Sequence, residues 1–472
     1  MILYISVTIE EAEMIGFEDY GIGFFRDQRR AAAGAALFEG VVKTGCVVLR
    51  RAGGGDRAGE ISANRFLASP HVTPDEIIET TAMRTTLACR ARRIVAAQDT
   101  TEINFRCDAG DRPGLGPGGD GKTPGFFVHA TVAVDADDET LLGVVHARIW
   151  TRPWQRATAR RQRAIEDKES GRWIEATAMA AERLGTAAQL IVVGDRESDI
   201  FSQFVRVPAG VELIARAAQN RKLVDDEYLF EAPSDWRDFG TMELRVPPRR
   251  PGEDWRVACV TVKAGHVCIA RPRHGADPRD PRSVTLTFVE VRENAPPKGH
   301  KPIVWRLLTT LTVCGMPDEF AAAHEIVRLY RLRWRIEQVF RAMKKDGLCL
   351  EETQVKEASR LFKLAAMALA AAVRNIQLVD ARDGSARPAS DVADPATIKA
   401  AEAIGPTLER STARQKNPHP LHSLAWLTWI VSRLGGWNCY YKKPGPKTVA
   451  LGWKKLTAMA EGYALAMATQ NA

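Results

Sequence analysis

The sequence predicts an α/β protein in several domains, with strands in the middle of the chain and helices at both ends. Three observations carry this reading. Two short apolar runs, IVAA at 94–97 and QLIVVGD at 189–195, have the texture of buried strands, and each leads into an aspartate. From about 211 to 315 the chain is a series of short β-like runs (VELIARA, MELRVP, WRVACVTV, VTLTFVEV, VWRLLTTLTV) separated by the Pro-rich linkers VPPRRPGE and NAPPKGHK. Before and after these segments, apolar residues recur at helical spacing among good helix formers.

Taken in order, residues 26–92 read as helices. DQRRAAAGAALFEGVV has helical spacing, the Gly53–Gly55 run breaks it, and Thr73 followed by Pro74 and acids is a helix start. The strand at 94–97 is expected to leave through an exit turn at Gln98–Thr101, followed by a glycine-rich loop at 108–125. FFVHATVAVD (126–135) and LLGVVHARIW (141–150) are strand-like runs joined by the acidic turn ADDE. A basic helical segment covers roughly 153–184, then the second buried strand, then the β block. A strongly basic helix is expected over Glu319–Lys345 and an almost uninterrupted one over 359–380. Residues 382–395 read as a loop, and the remainder is mostly helical apart from KKPGPK at 442–447. No repeat of domain-building length stands out.

Of 472 residues, 45% are hydrophobic and 26% charged, an ordinary soluble globular composition with enough apolar material for a real core. Lysine and arginine number 66 against 58 acids, and this net +8 permits nucleic-acid binding without requiring it. None of the eight cysteines forms a C-x-x-C pair, so a zinc ribbon and a thioredoxin motif are excluded and buried reduced thiols are expected. His419 and His422 lack acidic or thiol neighbours and read as loop residues. No apolar run of membrane-spanning length is present, and the opening MILYISVTIEEAEMIG lacks a basic start, so neither a transmembrane helix nor a signal peptide is expected.

GPGGDGKT at 116–123 spells the phosphate-loop pattern G-x-x-x-x-G-K-[ST]. That motif works when a strand leads into it and a helix follows, with the helix amides aimed at phosphate. Here Pro124 and the β-branched run after it predict a strand, and no apolar strand precedes the loop. The stretch is expected to be a loop beside bound DNA, with Lys122 touching a phosphodiester, and no nucleotide cofactor is implied.

An aspartate at a strand exit is often only a turn or cap residue, which is one reading of Asp99 and of Asp195. The stretch LYRLRWRIEQVFRAMKKDG adds a third acid. On one continuous helix, Tyr330, Arg333, Glu337 and Lys344 fall within about 60° of one another. Charge runs are commonly solvated helix faces. In 328–345, however, cations far outnumber acids, and such a face suits DNA phosphates with one carboxylate set among them. Three carboxylates converging on a sheet edge offer the hard oxygen ligands that Mg²⁺ prefers. Two such ions roughly 3.5–4 Å apart can activate an attacking oxygen and stabilise a leaving one.

The spacing Tyr330-x2-Arg333-x3-Glu337-x6-Lys344 resembles the Y-R-E-K signature of insertion-sequence-four (IS-four) family transposases, which include the Tn-five-like cut-and-paste enzymes. QDTTEINF (98–105), DKESGRW (167–173), GDRESDIF (194–201), PPKGHKPIVWRLLTT (296–310), RLGGW (433–437) and the PGPKT stretch after it are similar to further family segments. The resemblance implies a ribonuclease-H-like core interrupted by a β subdomain and flanked by helical domains. The implied division is a DNA-end-binding domain at 1–80, core at 81–210, β insertion at 211–318, core again at 319–380, and a dimerisation domain at 381–472. It implies Asp99, Asp195 and Glu337 as catalytic residues and ligands of two Mg²⁺ ions, for which Mn²⁺ can substitute. Tyr330, Arg333 and Lys344 would hold phosphates, Trp305 would stack on a flipped base, and Arg216 would contact a hairpin intermediate. A strand Trp in a core is the plainer reading of Trp305. The N-terminal stretch keeps Arg29 and Arg30 for DNA contact but lacks the family's Trp and L-G-D. The implied partners are double-stranded DNA (transposon ends and target) and a second copy of the chain, with no membrane, in the bacterial cytosol. A catalytically silent regulator of transposition, a nonspecific nuclease on the same core and a phosphate-loop NTPase are the alternatives.

Overall fold

A computed structural model describes residues 22–154, 169–246, 254–273, 276–345, 347–385 and 387–470. The expectations for the chain's opening, for the first two residues of DKESGRW and for most of the VPPRRPGE linker lie outside the described residues.

Among the described residues, ten strands form one mixed sheet: β1 (Arg93–Asn104), β2 (Gly116–Pro117), β3 (Pro124–Asp135), β4 (Leu141–Trp150), β5 (Gln189–Gly194), β6 (Val211–Arg216), β7 (Thr241–Val246), β8 (Arg256–Ala270), β9 (Ser283–Glu293) and β10 (Val304–Thr309). The order is β2-β3-β1-β5-β6-β10-β9-β8-β7, with β4 also paired to β3. β3 is antiparallel to β1 and β4, whereas β1, β5 and β6 run parallel. Every residue of β3 is buried, as expected for a central strand covered on both faces.

The strand that opens the expected β insertion is paired on both sides. Val211–Arg216 is the parallel neighbour of β5 and belongs to the core sheet, and the strands after it extend that sheet through β10 rather than forming a detached unit. β1 also differs from expectation. It runs on to Asn104, so Asp99 lies within a strand and not in an exit turn, because β3 keeps pairing with it as far as Asn104↔Gly125.

The described helices include α1 (Gln28–Thr44), α2 (Arg57–Ala68), α3 (Pro74–Cys89), α4 (Gly171–Arg183), α5 (Glu319–Arg331), α6 (Trp334–Lys344), α7 (Ala358–Asp380), α8 (Pro395–Leu408), α9 (Leu424–Leu434) and α10 (Pro446–Gln470). Side-chain caps begin many of them: Asp27, Asp56, Thr73, Asp318, Asp394 and Ser423 each accept from a first-turn amide. The boundary expected at residue 80 falls inside α3. Alternation along β1 sends Val95, Ala97 and Ile103 into the cluster shared with α6 and α7, and Ile94 and Ala96 into the cluster shared with α4. α7 is long and apolar enough to cross a membrane by length and composition, yet most of it is buried among the other elements.

The single helix expected over Glu319–Lys345 is two. At the joint the amides of Leu332, Arg333, Arg335 and Ile336 bond three residues back, so a tighter turn interrupts the α-helical ladder. The cysteines carry no disulfide, but among them only Cys89 is fully buried, and Cys259 is exposed.

Candidate active site

The register of the parallel strands sets the first two acids side by side. β1 and β5 pair from Arg93↔Gln189 to Ala97↔Val193, an offset of 96 residues. Two residues further on, the same offset matches Asp99 with Asp195, at the carboxyl end of β5. Crevices at the carboxyl ends of parallel strands are where open α/β sheets place ligands. Asp195 caps the short turn that follows β5, accepting from the Glu197 amide at 2.8 Å.

Alternation puts Asp99 on the same face of β1 as Val95 and Ala97, the face that α6 covers. α6 therefore supplies the third acid. Arg333, at the joint before α6, donates from Nη1 to Asp99 Oδ2 at 2.8 Å and from Nη2 to Glu337 one turn on. The Arg333 side chain is 10% exposed and that of Glu337 is 43% exposed, so the site opens to solvent on the Glu337 side.

Burial pushes the Asp99 carboxyl up to about 7. Arg333 and the Thr100 amide pull it down, while the charges of Asp195 and Glu337 push it further up. Asp195 and Glu337 thus both act electrostatically on Asp99. Arg333 loses by burial but gains more from Tyr330, Asp99 and Glu337, and its guanidinium is held more firmly charged than usual.

Tyr330 is 2% exposed, and its phenol lies close enough to Arg333 and Arg216 for their charges to act on it. Burial raises its pKa against the pull of both arginines. In this arrangement the phenol lies beside the guanidinium and is almost wholly buried. Trp305 on β10 is half-buried and meets Tyr330 edge to face, with ring centroids 5.6 Å apart. Arg216 closes the group, donating to the Val304 carbonyl at 3.3 Å. Lys344 reaches β1 beyond Asp99, with Nζ 3.2 Å from Thr101 Oγ1 and 3.8 Å from Glu351. Arg29 and Arg30 are not part of this group. They sit at the start of α1, where Arg30 is paired with Asp27 and Arg29 is exposed.

A buried tie beneath the acids was not legible in the sequence. Arg172, in the first turn of α4, donates from Nε to Thr100 Oγ1 at 3.1 Å and from Nη2 to Glu197. Thr100 Oγ1 also meets His129 Nδ1 at 2.9 Å. Burial, reinforced by Arg172, His146 and Arg148, holds His129 well below the usual imidazole range, so it is neutral. One guanidinium thus joins the residue after Asp99 to the turn after Asp195. Asp199 makes a second tie of this kind. It is buried with Arg221 and accepts from the amides of Ala218 and Gln219, fixing the chain just beyond Arg216. The signal available was the set of polar residues inside DKESGRW and GDRESDIF, which a strand-end reading leaves unused.

The phosphate-loop spelling folds as a tight turn between β2 and β3. Asp120 Oδ1 accepts from the amides of Lys122 and Thr123 at 2.8 and 2.9 Å, and Glu102 accepts from the Gly119 amide. The amides that would cradle a phosphate are satisfied by the chain's own carboxylates, and β3 follows where a helix would be needed.

Among the described residues, no three His, Cys, Asp or Glu side chains are grouped closely enough to hold a metal as they stand. The donor chemistry nonetheless fits a hard divalent cation. Asp99 and Glu337 share the Arg333 guanidinium, which stands where a cation would draw them together, and Asp195 lies near enough for its charge to act on Asp99. Residues 168–374 match the family model described as the transposase DDE domain. That span includes Asp195, Arg333 and Glu337 but starts downstream of Asp99, which β1 brings to them. Enzymes with this domain generally use divalent metals. Residues 168–374 are thus similar to the transposase DDE domain, and that similarity implies a ribonuclease-H-like core and an enzyme that cleaves and transfers DNA.

Proposed function

We propose that this chain is a cut-and-paste DNA transposase of the IS-four group, with Tn-five-like chemistry at Asp99, Asp195 and Glu337. The observation that carries the reading is Asp99 and Glu337, from separated segments, joined through Arg333, with Asp195 just past the end of the strand that pairs in parallel with β1. These carboxylates would hold two Mg²⁺ ions, or Mn²⁺, which supply activation of the attacking oxygen and stabilisation of the leaving one.

In this reading, water attacks the phosphodiester at a transposon end and leaves a 3′-hydroxyl on the element and a 5′-phosphate on the flank. The 3′-hydroxyl then attacks the opposite strand, releasing the flank and closing a hairpin. A second water opens the hairpin, and the freed 3′-hydroxyl joins target DNA. Arg333 and Lys344 hold phosphates beside the reacting bond, with Tyr330 and Arg216 steadying Arg333. Trp305 offers a ring for a base displaced in the hairpin. Arg29 and Arg30, with other exposed cations of the N-terminal helices, contact the end sequence. Residues 381–472 mediate pairing of two copies, and the protein acts in the bacterial cytosol.

The test is product analysis. A duplex carrying the repeats that flank the reading frame, incubated with the full chain and Mg²⁺, should yield a nick, then a hairpin, then a joined product. Random nicking with no hairpin and no joining would favour a nonspecific nuclease instead.

A further inference from the structure

We propose that Arg333 is an exchangeable cation that makes divalent-metal binding and capture of a DNA phosphate cooperative at this site. The inference rests on the reading of Asp99 and Glu337 as metal ligands.

Arg333 spans Asp99 Oδ2 and Glu337 Oε1 with its two terminal nitrogens. Carboxylate lone pairs engaged by a guanidinium are not free for a metal, and a second cation entering between the acids would be repelled by the first. Arg333 and a divalent ion therefore compete for the same oxygens. The guanidinium is not fixed by an all-round cage. Its Nε is buried without a partner, it lies at the interrupted joint between α5 and α6, and Glu337 beside it opens to solvent. A phosphodiester entering from that side offers the planar, two-oxygen match that a guanidinium prefers. Transfer of Arg333 from the acids to the phosphate frees Asp99 and Glu337 for metal. It also leaves Arg333 within reach of the Tyr330 phenol, which does not depend on the acids.

Linkage then requires DNA to tighten metal binding and metal to tighten DNA binding by the same factor. Without DNA, the guanidinium holds the acids closed to metal, and hydrolytic chemistry is withheld until a phosphate arrives.

The experiment measures Mn²⁺ binding to the full chain by the electron paramagnetic resonance signal of free Mn²⁺, with and without the flanking-repeat duplex. Without DNA, Arg333→Gln should bind Mn²⁺ more tightly than wild type, by about tenfold, a mid-range coupling. Duplex DNA should tighten Mn²⁺ binding to wild type and leave Arg333→Gln nearly unchanged. Arg333→Lys keeps the charge but holds one carboxylate at a time, so it should fall between the two and covers the case in which the glutamine variant does not fold. Equal or weaker Mn²⁺ binding by both variants without DNA overturns the proposal, as does DNA that leaves wild-type binding unchanged. Asp99→Asn separates the layers. If it abolishes Mn²⁺ binding while the arginine variants fail to tighten it, only the exchange is wrong. If Mn²⁺ binding survives Asp99→Asn, the metal-ligand reading falls and the exchange with it.

Discussion

Asp99 carries its charge against the pull of its surroundings. With its carboxyl pushed up to about 7 from an ordinary 3.8, the folded chain holds a proton there that the unfolded chain has lost. Stability from this group is therefore full at low pH and is lost as pH rises through about 7. In metal-free buffer, the melting temperature of wild type should fall relative to Asp99→Asn between about pH 5 and pH 8. Mg²⁺ at the upper pH should shift wild type little without DNA and more once the flanking-repeat duplex is added, since a ligand stabilises only the state that binds it. Scanning calorimetry checks both. Asp195 could be picked out in the sequence by its strand end, and Asp99 and Glu337 by the strand and helix segments that carry them. The bridge through Arg333 could not, because spacing places a side chain on a face and says nothing of which partner it takes.

At the scale of elements, the useful signal was periodicity, and its failures have physical causes. The two buried strands before Asp99 and Asp195 could be read from their apolar runs, and their register follows once they pair in parallel. The extent of β1 could not, since Gln98–Asn104 is polar and alternating and stays a strand only because β3 pairs with it. The break between α5 and α6 has no glycine or proline to announce it. The Arg172 tie belongs to this scale too, since it fixes α4, β1 and the turn after β5 together. Arg172→Gln removes charged hydrogen bonds at a nearly buried position and should cost about 1–3 kcal/mol in urea unfolding. It should also raise the Mg²⁺ concentration needed for half-maximal nicking, with partial rescue by Arg172→Lys. Stability lost with an unchanged metal requirement would mean the tie supports folding alone.

For the whole molecule, the five expected domains share more than a chain. One continuous apolar cluster runs from Ile22 through the sheet to Ala460, with α7 at its centre. The N-terminal helices are fastened to α7 by polar contacts as well. Lys363 donates to the carbonyls of Leu67 and Ser69 at 2.8 and 2.7 Å, and Arg374 pairs with Glu39 at 2.6 Å. Lys363→Met removes a donor from both carbonyls, leaving Ser69 only its Val72 amide, and should cost about 1–3 kcal/mol, read from denaturant midpoints. A chain ended after Asp380 would bare the side of α7 that α9 and α10 cover, and should be insoluble where the full chain is not. Composition shifts along the sequence mark the boundaries of elements, but this shared core is written in contacts between distant segments.

The most direct test of the catalytic assignment is Mg²⁺-dependent nicking of the flanking-repeat duplex by wild type beside Asp99→Asn, Asp195→Asn and Glu337→Gln, with DNA binding measured in parallel. Each variant is expected to bind the duplex and to lose nicking. Nicking that persists in any one of the three, at a rate near wild type, would contradict the assignment of these acids to a single phosphoryl-transfer site.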